Sequence, residues 1–514
     1  MKNTETLKEF GGIADKYINE AALPAVKKKR GAKRAATIAA CAVLLAGAAF
    51  AVNRFIINRP AELPPSTTAS PDGDVQDTDA AAENTTAAGV PEAGFMSMNK
   101  AAPSLPVFPA YPDMQDYMTE DGRLDSAWNA AFDEWRTAKS EVERAAEPYK
   151  SSLTAFTQKS IKEFVLKNAD KNCVFSPVNV YLALSMSAEL VNGKTRGQIL
   201  SLLGADDIAA VRENASALFK KTYCDDGAYV SVPANSVWLN DKISYKPDTL
   251  KSLADVYRAY AFSGTPGTEE YDGALHSWLN YATGGLLQDS VNALKMSPDM
   301  IMSLVSSLYL SAKWQNEFYK TETGIFHSPD AERECEFMLR GAMHDFYYGD
   351  GFTADNVPIE GGGEMWIILP DENKTPEKVL KSDGFYSFIS DPFGWTNKQW
   401  SQVNIKLPKF DVTSDTDLKD GLQALGVTDM FLPEKADFSN ISDDETEMYV
   451  DKVQHSARVK TDEKGITAAA FTVLEVSGSA LPQNKVDFTV DRPFIFAVTG
   501  IDGSLLFCGT VNEP

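Results

Sequence analysis

Four patterns of apolar and polar positions follow one another along the chain. Over 35–52 (AATIAACAVLLAGAAFAV) eighteen residues run without a charge or a proline, and Phe55, Ile56 and Ile57 extend the run. At ~1.5 Å rise per residue such a helix approaches the ~30 Å of a bilayer's hydrocarbon, so the pattern predicts a transmembrane helix over 35–57. Over 58–122 large apolar residues are sparse and Pro, Ala, Thr, Ser and acidic residues take over, which reads as a disordered linker. The stretch 124–146 turns helical, with Trp128, Phe132 and Trp135 on one side, and predicts a helical extension over 123–148. A continuous domain of mixed α+β class then occupies 149–514. Helical periods dominate early (153–167, 179–190), and short alternating strands come later (365–369, 403–407, 486–490).

Charge gives the first pattern a direction. The chain carries 49 Lys and Arg against 72 Asp and Glu, a net −23. Residues 1–34 nevertheless hold nine basic residues against four acidic ones, with Lys27, Lys28, Lys29, Arg30, Lys33 and Arg34 just before the apolar run. The positive-inside rule puts that tail in the cytoplasm and everything after 57 outside, as a single-pass signal anchor; cleavage of the anchor would instead give a secreted protein. The acidic body excludes nucleic acid as a partner, because phosphate binding needs a basic face. Asp72, Asp74, Asp77 and Asp79 lack the spacing and closing Glu of a calcium loop, and read as solvated linker. Five scattered cysteines form no disulfide framework, and no Cys/His spacing suggests a metal or a cofactor.

Catalytic signatures are equally absent. Gly193-Lys194-Thr195 resembles the end of a phosphate-binding loop, but its first glycine would fall on Ala188 and no strand precedes it. There are four histidines, and neither GxSxG nor HExxH occurs. The unusual segment is 465–480, GITAAAFTVLEVSGSA, with one charge (Glu475) and no proline. Its Thr, Val, Ala and Phe favour a strand rather than a solvated turn. Alternation puts Ile466, Ala468, Ala470, Thr472, Leu474 and Val476 on one face, and Thr467, Ala469, Phe471, Val473, Glu475 and Ser477 on the other. A permanent strand and an exposed segment able to join a sheet later both fit this pattern.

The flanks carry a resemblance. Asn172-Cys173-Val174-Phe175-Ser176-Pro177, Trp278 with Thr283 and Gly285, and Ser307-Leu308-Tyr309 before Lys313-Trp314 and Phe318 occur in order. Leu407-Pro408-Lys409-Phe410, Leu425-Gly426-Val427-Thr428-Asp429-Met430-Phe431, Val450-Asp451-Lys452-Val453-Gln454-His455, Asp491-Arg492-Pro493-Phe494 and Leu506-Phe507-Cys508-Gly509-Thr510-Val511 follow. This series resembles the serpin family, here in a bacterial-type, membrane-anchored form. The resemblance implies a large central sheet with smaller sheets, an exposed reactive loop, and inhibition rather than catalysis. A target serine protease would attack the loop, form an acyl-enzyme, and be trapped as the loop inserts into the main sheet; the domain would act as a monomer. The alternative is a non-inhibitory surface protein whose loop is merely cleaved. On this resemblance the hinge is Glu463, Gly465, Ile466, Thr467, Ala468, Ala469 and Ala470, and the reactive bond is Ser479–Ala480. The small uncharged surroundings of that bond imply elastase-like or subtilisin-like targets. Ser176, Ser306 and His455 correspond to the shutter where the sheet parts, and Trp314 to the breach above it. Two positions depart from the family pattern. Ile466 stands where Thr or Ser is usual, a bulky side chain at the first position to be buried. Ser306 stands where an asparagine is common, which predicts a different hydrogen-bond network around His455.

Overall fold

The computed structural model describes residues 93–112, 114–119, 122–285, 294–444, 446–466 and 484–514. The expected tail over 1–34 and membrane helix over 35–57 lie outside the described residues, as do Thr467, Ala468, Ala469, Ala470, Ser479 and Ala480. Among the described residues no helix is long and apolar enough to cross a membrane.

Two sheets organise the domain. In sheet 1 the spatial order is β1 (Asn99–Ala101), β5 (Ala259–Gly264), β4 (Tyr229–Asn240), β6 (Met302–Lys313), β13 (Val450–Lys460) and β12 (Asp411–Asp417). The short β3 (Cys224–Asp225) adds to β4, and β14 (Gly465–Ile466) adds to β6. Sheet 2 runs β15 (Lys485–Thr489), β11 (Lys398–Pro408), β8 (Glu332–Tyr348), β9 (Phe352–Pro358), β10 (Glu364–Pro370), β16 (Phe494–Thr499), β17 (Leu505–Val511) and β2 (Cys173–Phe175), with β7 (Lys320–His327) on β8. Strands such as β10 (EMWIILP) and β16 (FIFAVT) are apolar on both faces, and both faces are covered.

Eight helices of eight residues or more among the described residues frame these sheets: α1 (Ala127–Glu143), α2 (Lys150–Ser160), α3 (Pro177–Leu190), α4 (Gly193–Leu203), α5 (Ile208–Thr222), α6 (Pro247–Tyr257), α7 (Glu269–Ala282) and α8 (Asp383–Ser390). Every residue of α3 is buried, the mainly apolar ones in the core and Glu189 against Arg212 and Tyr257, and α4, α5 and α6 pack against it. Its start is fixed locally. Ser176 caps it by accepting the Asn179 backbone N–H at 3.3 Å, and Pro177 fills the first turn, where no donor is needed.

The linker expected over 58–122 ends earlier than the composition suggests. Phe95 is fully buried among Tyr260, Phe262 and Tyr281, and β1 pairs antiparallel with the outer strand β5. Leu105 and Phe108 pack on the core. These apolar residues are too sparse among prolines and alanines to make a period, so each docks singly and pattern reading passes over them. The partner of the aromatic helix is now visible too. In α1 the Trp135 indole N–H donates to Asp226 Oδ2 at 2.9 Å, the Lys139 ammonium lies over the Trp135 ring, and the buried Lys221 ammonium donates to Glu143 O and Glu147 Oε1. The segment 95–149 is thus folded onto the domain.

Candidate functional site

The site begins with an incomplete seam. On one side β6 is paired with β4 over almost its whole length, from Leu239↔Met302 to Tyr229↔Ala312. On the other it runs parallel to β13, but the register covers only Val450↔Met302 to Ser456↔Ser307. Beyond that, residues 308–311 and 457–460 form no ladder with each other among the described residues. The far edge of β13 is paired over 454–460 with the whole of β12, from Asp411↔Lys460 to Asp417↔Gln454. Among the long strands of sheet 1, β6 and β13 therefore leave about half their length unpaired with each other.

The expected hinge sits at the upper end of that seam. Gly465 and Ile466 pair antiparallel with Lys313 and Ala312, and Ile466 also bridges Thr461. A turn holds the approach: Asp462 Oδ1 accepts the N–H groups of Lys464 (2.8 Å) and Gly465 (3.0 Å). Trp314 clamps it from below. Its indole N–H donates to Asp462 O at 2.8 Å, its backbone N–H to Lys464 O at 2.9 Å, and Phe318 N–H reaches Glu463 O at 2.9 Å. The hydrogen-bonded Lys409 ammonium holds the Glu463 carboxyl below its usual range. Gly465 is required by contact: a Cβ there would collide with the Ala312 carbonyl oxygen and lie 2.8 Å from Lys313 Cα. Ile466 corrects the expectation attached to it. Its side chain is 1 % exposed and already part of the core, so its burial precedes any insertion.

The expected shutter residues lie at the other end of the seam. Ser306 is eight residues from Trp314 along the strand, or ~26 Å at ~3.3 Å per residue, so the two belong to separate places. Ser176 and His455 meet: the Ser176 backbone N–H donates to His455 Nε2 at 3.2 Å, and Phe175 stacks edge-on to the imidazole at 5.4 Å. Complete burial pushes the His455 pKa down to about 4, so the ring is neutral at physiological pH. Ser306 lies directly opposite His455 across the seam, and Asn235 of β4 lies opposite Ser306 on its other side. Directly opposed residues share a face, so Asn235, Ser306 and His455 form a row across three strands. The Asn235 amide, Ser306 Oγ and His455 Nδ1 are buried and have no hydrogen-bond partner among the described residues. Asn235 was missed in the sequence. The signal was there, an amide inside the otherwise apolar and small-residue run of YVSVPANSVWLN, but only the register shows that it faces the row. A cavity of about 230 Å³ lined by Phe175, Ser414, Asp415 and His455 adjoins the row. Among the described residues no cluster of His, Cys, Asp and Glu is arranged to hold a metal.

Comparison with known proteins identifies the family and the fold. Residues 151–514 match the family described as Serpin (serine protease inhibitor). The curated relative Serpin-Z2A of Oryza sativa subsp. japonica is 28 % identical over 416 residues, covering 70 % of this chain and 96 % of its own. The crystal structure of tengpin, a thermophilic serpin in the native state, is 26 % identical with a TM-score of 0.65, covering 72 % of this chain and 95 % of its own. Human thyroxine-binding globulin, solved in complex with its hormone, shares the fold at 22 % identity and a TM-score of 0.63, covering 72 % of this chain and 100 % of its own.

Proposed function

The chain belongs to the serpin family, and from that premise we propose that it is a suicide-substrate inhibitor of extracellular serine proteases of elastase-like or subtilisin-like preference. The observation that carries this reading is the half-closed seam between β6 and β13 with the hinge already paired at its mouth. The protease serine attacks the Ser479 carbonyl, the amine of Ala480 leaves, and the acyl-enzyme forms on Ser479. The freed loop then continues the strand begun by Gly465 and Ile466, antiparallel to both β6 and β13. One partial parallel ladder gives way to two antiparallel ones, which are slightly more stable per residue.

Register carried forward from the hinge supports the assignment of residues. Continuing Ile466↔Ala312 by six places sets Thr472 opposite Ser306, and continuing the Ile466–Thr461 bridge sets the same Thr472 opposite His455. Its hydroxyl thus arrives in the row of buried polar groups that lack partners. Ala468, Ala470, Leu474 and Val476 share the inward face with Ile466, while Glu475 falls on the opposite face. Ser479 comes out beyond the end of β6, ~44 Å from Ile466 at ~3.4 Å per residue, with the protease attached. We read 35–57 as an anchor that presents the domain outside the cell, on the sequence pattern described above.

Incubation of the full-length protein with pancreatic elastase and with subtilisin tests the reading. A covalent band at the summed mass on denaturing gels is the expected result, and Thr472→Arg should convert the chain into a substrate that is cleaved without a complex. Cleaved product alone from the wild type, with no rise in melting temperature, sinks the proposal in favour of a non-inhibitory role.

A further inference from the structure

We propose that an apolar patch on sheet 2 centred on Trp400 docks the target protease and decides which protease is trapped, an inference that rests on the reading of 463–485 as the bait loop. Nine large apolar side chains are exposed among the described residues, and three of them gather at one end of sheet 2: Trp400 (61 % exposed), Phe393 (56 %) and Met343 (40 %). In the antiparallel β8–β11 register Trp400 faces Asp345 and Gln402 faces Met343, so Trp400 and Met343 are diagonal neighbours on one face. Lys398, two residues before Trp400 on that face, has its ammonium 3.1 Å from Asp345 Oδ2 and 2.9 Å from Phe393 O. The result is an apolar centre with one ion pair at its border.

The patch lies where the chain re-enters the sheet after the bait segment. Gln402 N–H donates to Asn484 O at 2.9 Å, and Lys485 pairs with Gln402. Ala480 is four residues before Asn484 in the sequence, so the bond lies within ~14 Å of that point even with the chain fully extended. A typical protein interface covers about 800 Å² per partner, or roughly 28 Å across. A protease gripping Ser479–Ala480 therefore reaches the sheet edge at Asn484 and Gln402, and in this proposal its contact continues over Trp400, two residues along β11 from Gln402. The occupant is the protease surface on the leaving-group side of its cleft, presenting an apolar side chain to the indole.

Chemistry at the bond leaves this role open. Val476, Ser477, Gly478, Ser479, Ala480 and Leu481 are small or aliphatic, and single-methylene differences in a pocket discriminate by only ~1–3 kcal/mol. The bait alone selects weakly among proteases that accept small residues. Tryptophan is among the residue types that most often dominate interface energetics, and here one stands exposed beside the bait.

The test measures second-order rates of complex formation for full-length wild type, Trp400→Ala, Trp400→Tyr and Met343→Ala against elastase and subtilisin. Ile325→Ala, an exposed apolar residue of β7 opposite Glu334 and nine residues along β8 from Met343, serves as the control. Affinity for each protease with its catalytic serine replaced by alanine is measured alongside. For the protease trapped fastest, Trp400→Ala should slow trapping and weaken docking about tenfold, Trp400→Tyr should recover part of the loss, and Ile325→Ala should change neither. Inhibitor consumed per protease trapped should stay constant, because docking precedes acylation. Melting temperatures equal to wild type confirm folding of each variant. Rates and affinities of Trp400→Ala within twofold of wild type for every protease overturn the proposal. If the wild type traps no protease, the inhibitory reading has failed separately, and affinity for the inactive proteases still decides the patch: equal binding overturns it, loss in Trp400→Ala upholds it.

Discussion

Strands β10 and β6 are both interior strands, and they are held in different ways. β10 is paired along its length on one side with β9 and over five residues with β16 on the other, and its 365–369 core is wholly apolar and buried. β6 is fully paired on one side only and carries Ser303, Ser306, Ser307 and Ser311. Of these, Ser306 Oγ and Ser307 Oγ are buried without partners among the described residues. Pulling β10 from a neighbour would strip large apolar side chains of cover, at ~1.5–3 kcal/mol each. Parting β6 from β13 breaks a short parallel ladder that joins Ser306 to His455 and Ser307 to Ser456, together with the two apolar pairs Met302–Val450 and Leu304–Val453. The large apolar residues of β10 are locked on both sides by ladders, whereas one side of β6 is held by a ladder over only about half its length.

The contrast can be broken most forcefully by cutting the chain between 467 and 483. If the seam accepts the freed strand, two new ladders at ~0.5–1.5 kcal/mol per bond and several buried apolar side chains should stabilise the product by roughly 10 kcal/mol or more. Melting curves before and after limited proteolysis read this directly; an unchanged or lower transition would mean that the seam stays shut. A smaller effect comes from Ile466→Asp. Placing a carboxylate at this buried position should destabilise the native chain by about 3–5 kcal/mol and expel the hinge, seen as a shift in denaturation midpoint and faster proteolysis at 463–470.

Protonation of the shutter comes next. An unfolded histidine titrates near 6.5, whereas burial holds His455 near 4, so below 6.5 the unfolded chain takes up a proton that the native one refuses. Stability is complete above about pH 6.5 and should fall by up to roughly 3 kcal/mol as the pH drops toward 4. Denaturation at pH 7.5, 5.5 and 4.5 should show this slope in the wild type and a shallower one in His455→Gln. The smallest effect sharpens the comparison. Replacing the partnerless Asn235 amide with a similar apolar shape, in Asn235→Leu, should stabilise the native state by about 1 kcal/mol and slow loop insertion. A loss of stability would mean that the row is fully bonded in solution.

Much of this was legible in the sequence because it is local. The mainly apolar α3 with its Ser176 cap and the strands β10 and β11 announce themselves by pattern and by end residues. What escaped was set by register between distant segments. Asn235 and Ser306 are 71 positions apart in a chain that gives no local hint of their pairing. The same holds for Ile466, whose bulk reads as an obstacle until its antiparallel pairing with Ala312 shows it as a wedge already seated. β4 is not marked by its pattern, because its alternation is interrupted by Pro233 and Asn235. The patch around Trp400 is invisible to alternation alone, which marks a residue as outward but not as uncovered.

The segment 95–149 carries a consequence for anyone who edits this gene. The family match begins at residue 151, yet Phe95, Leu105, Phe108, Trp135 and Tyr149 are seated in the body that follows. A chain shortened to the edge of the match would leave open the aromatic nest around Tyr260 and Phe262, bare the outer edge of β5, and strand Lys221 without its acceptors at Glu143 and Glu147. An uncovered strand edge beside exposed rings is a template for aggregation. The boundary that recurs among relatives and the boundary at which this chain can be expressed in isolation are two different lines, about 55 residues apart.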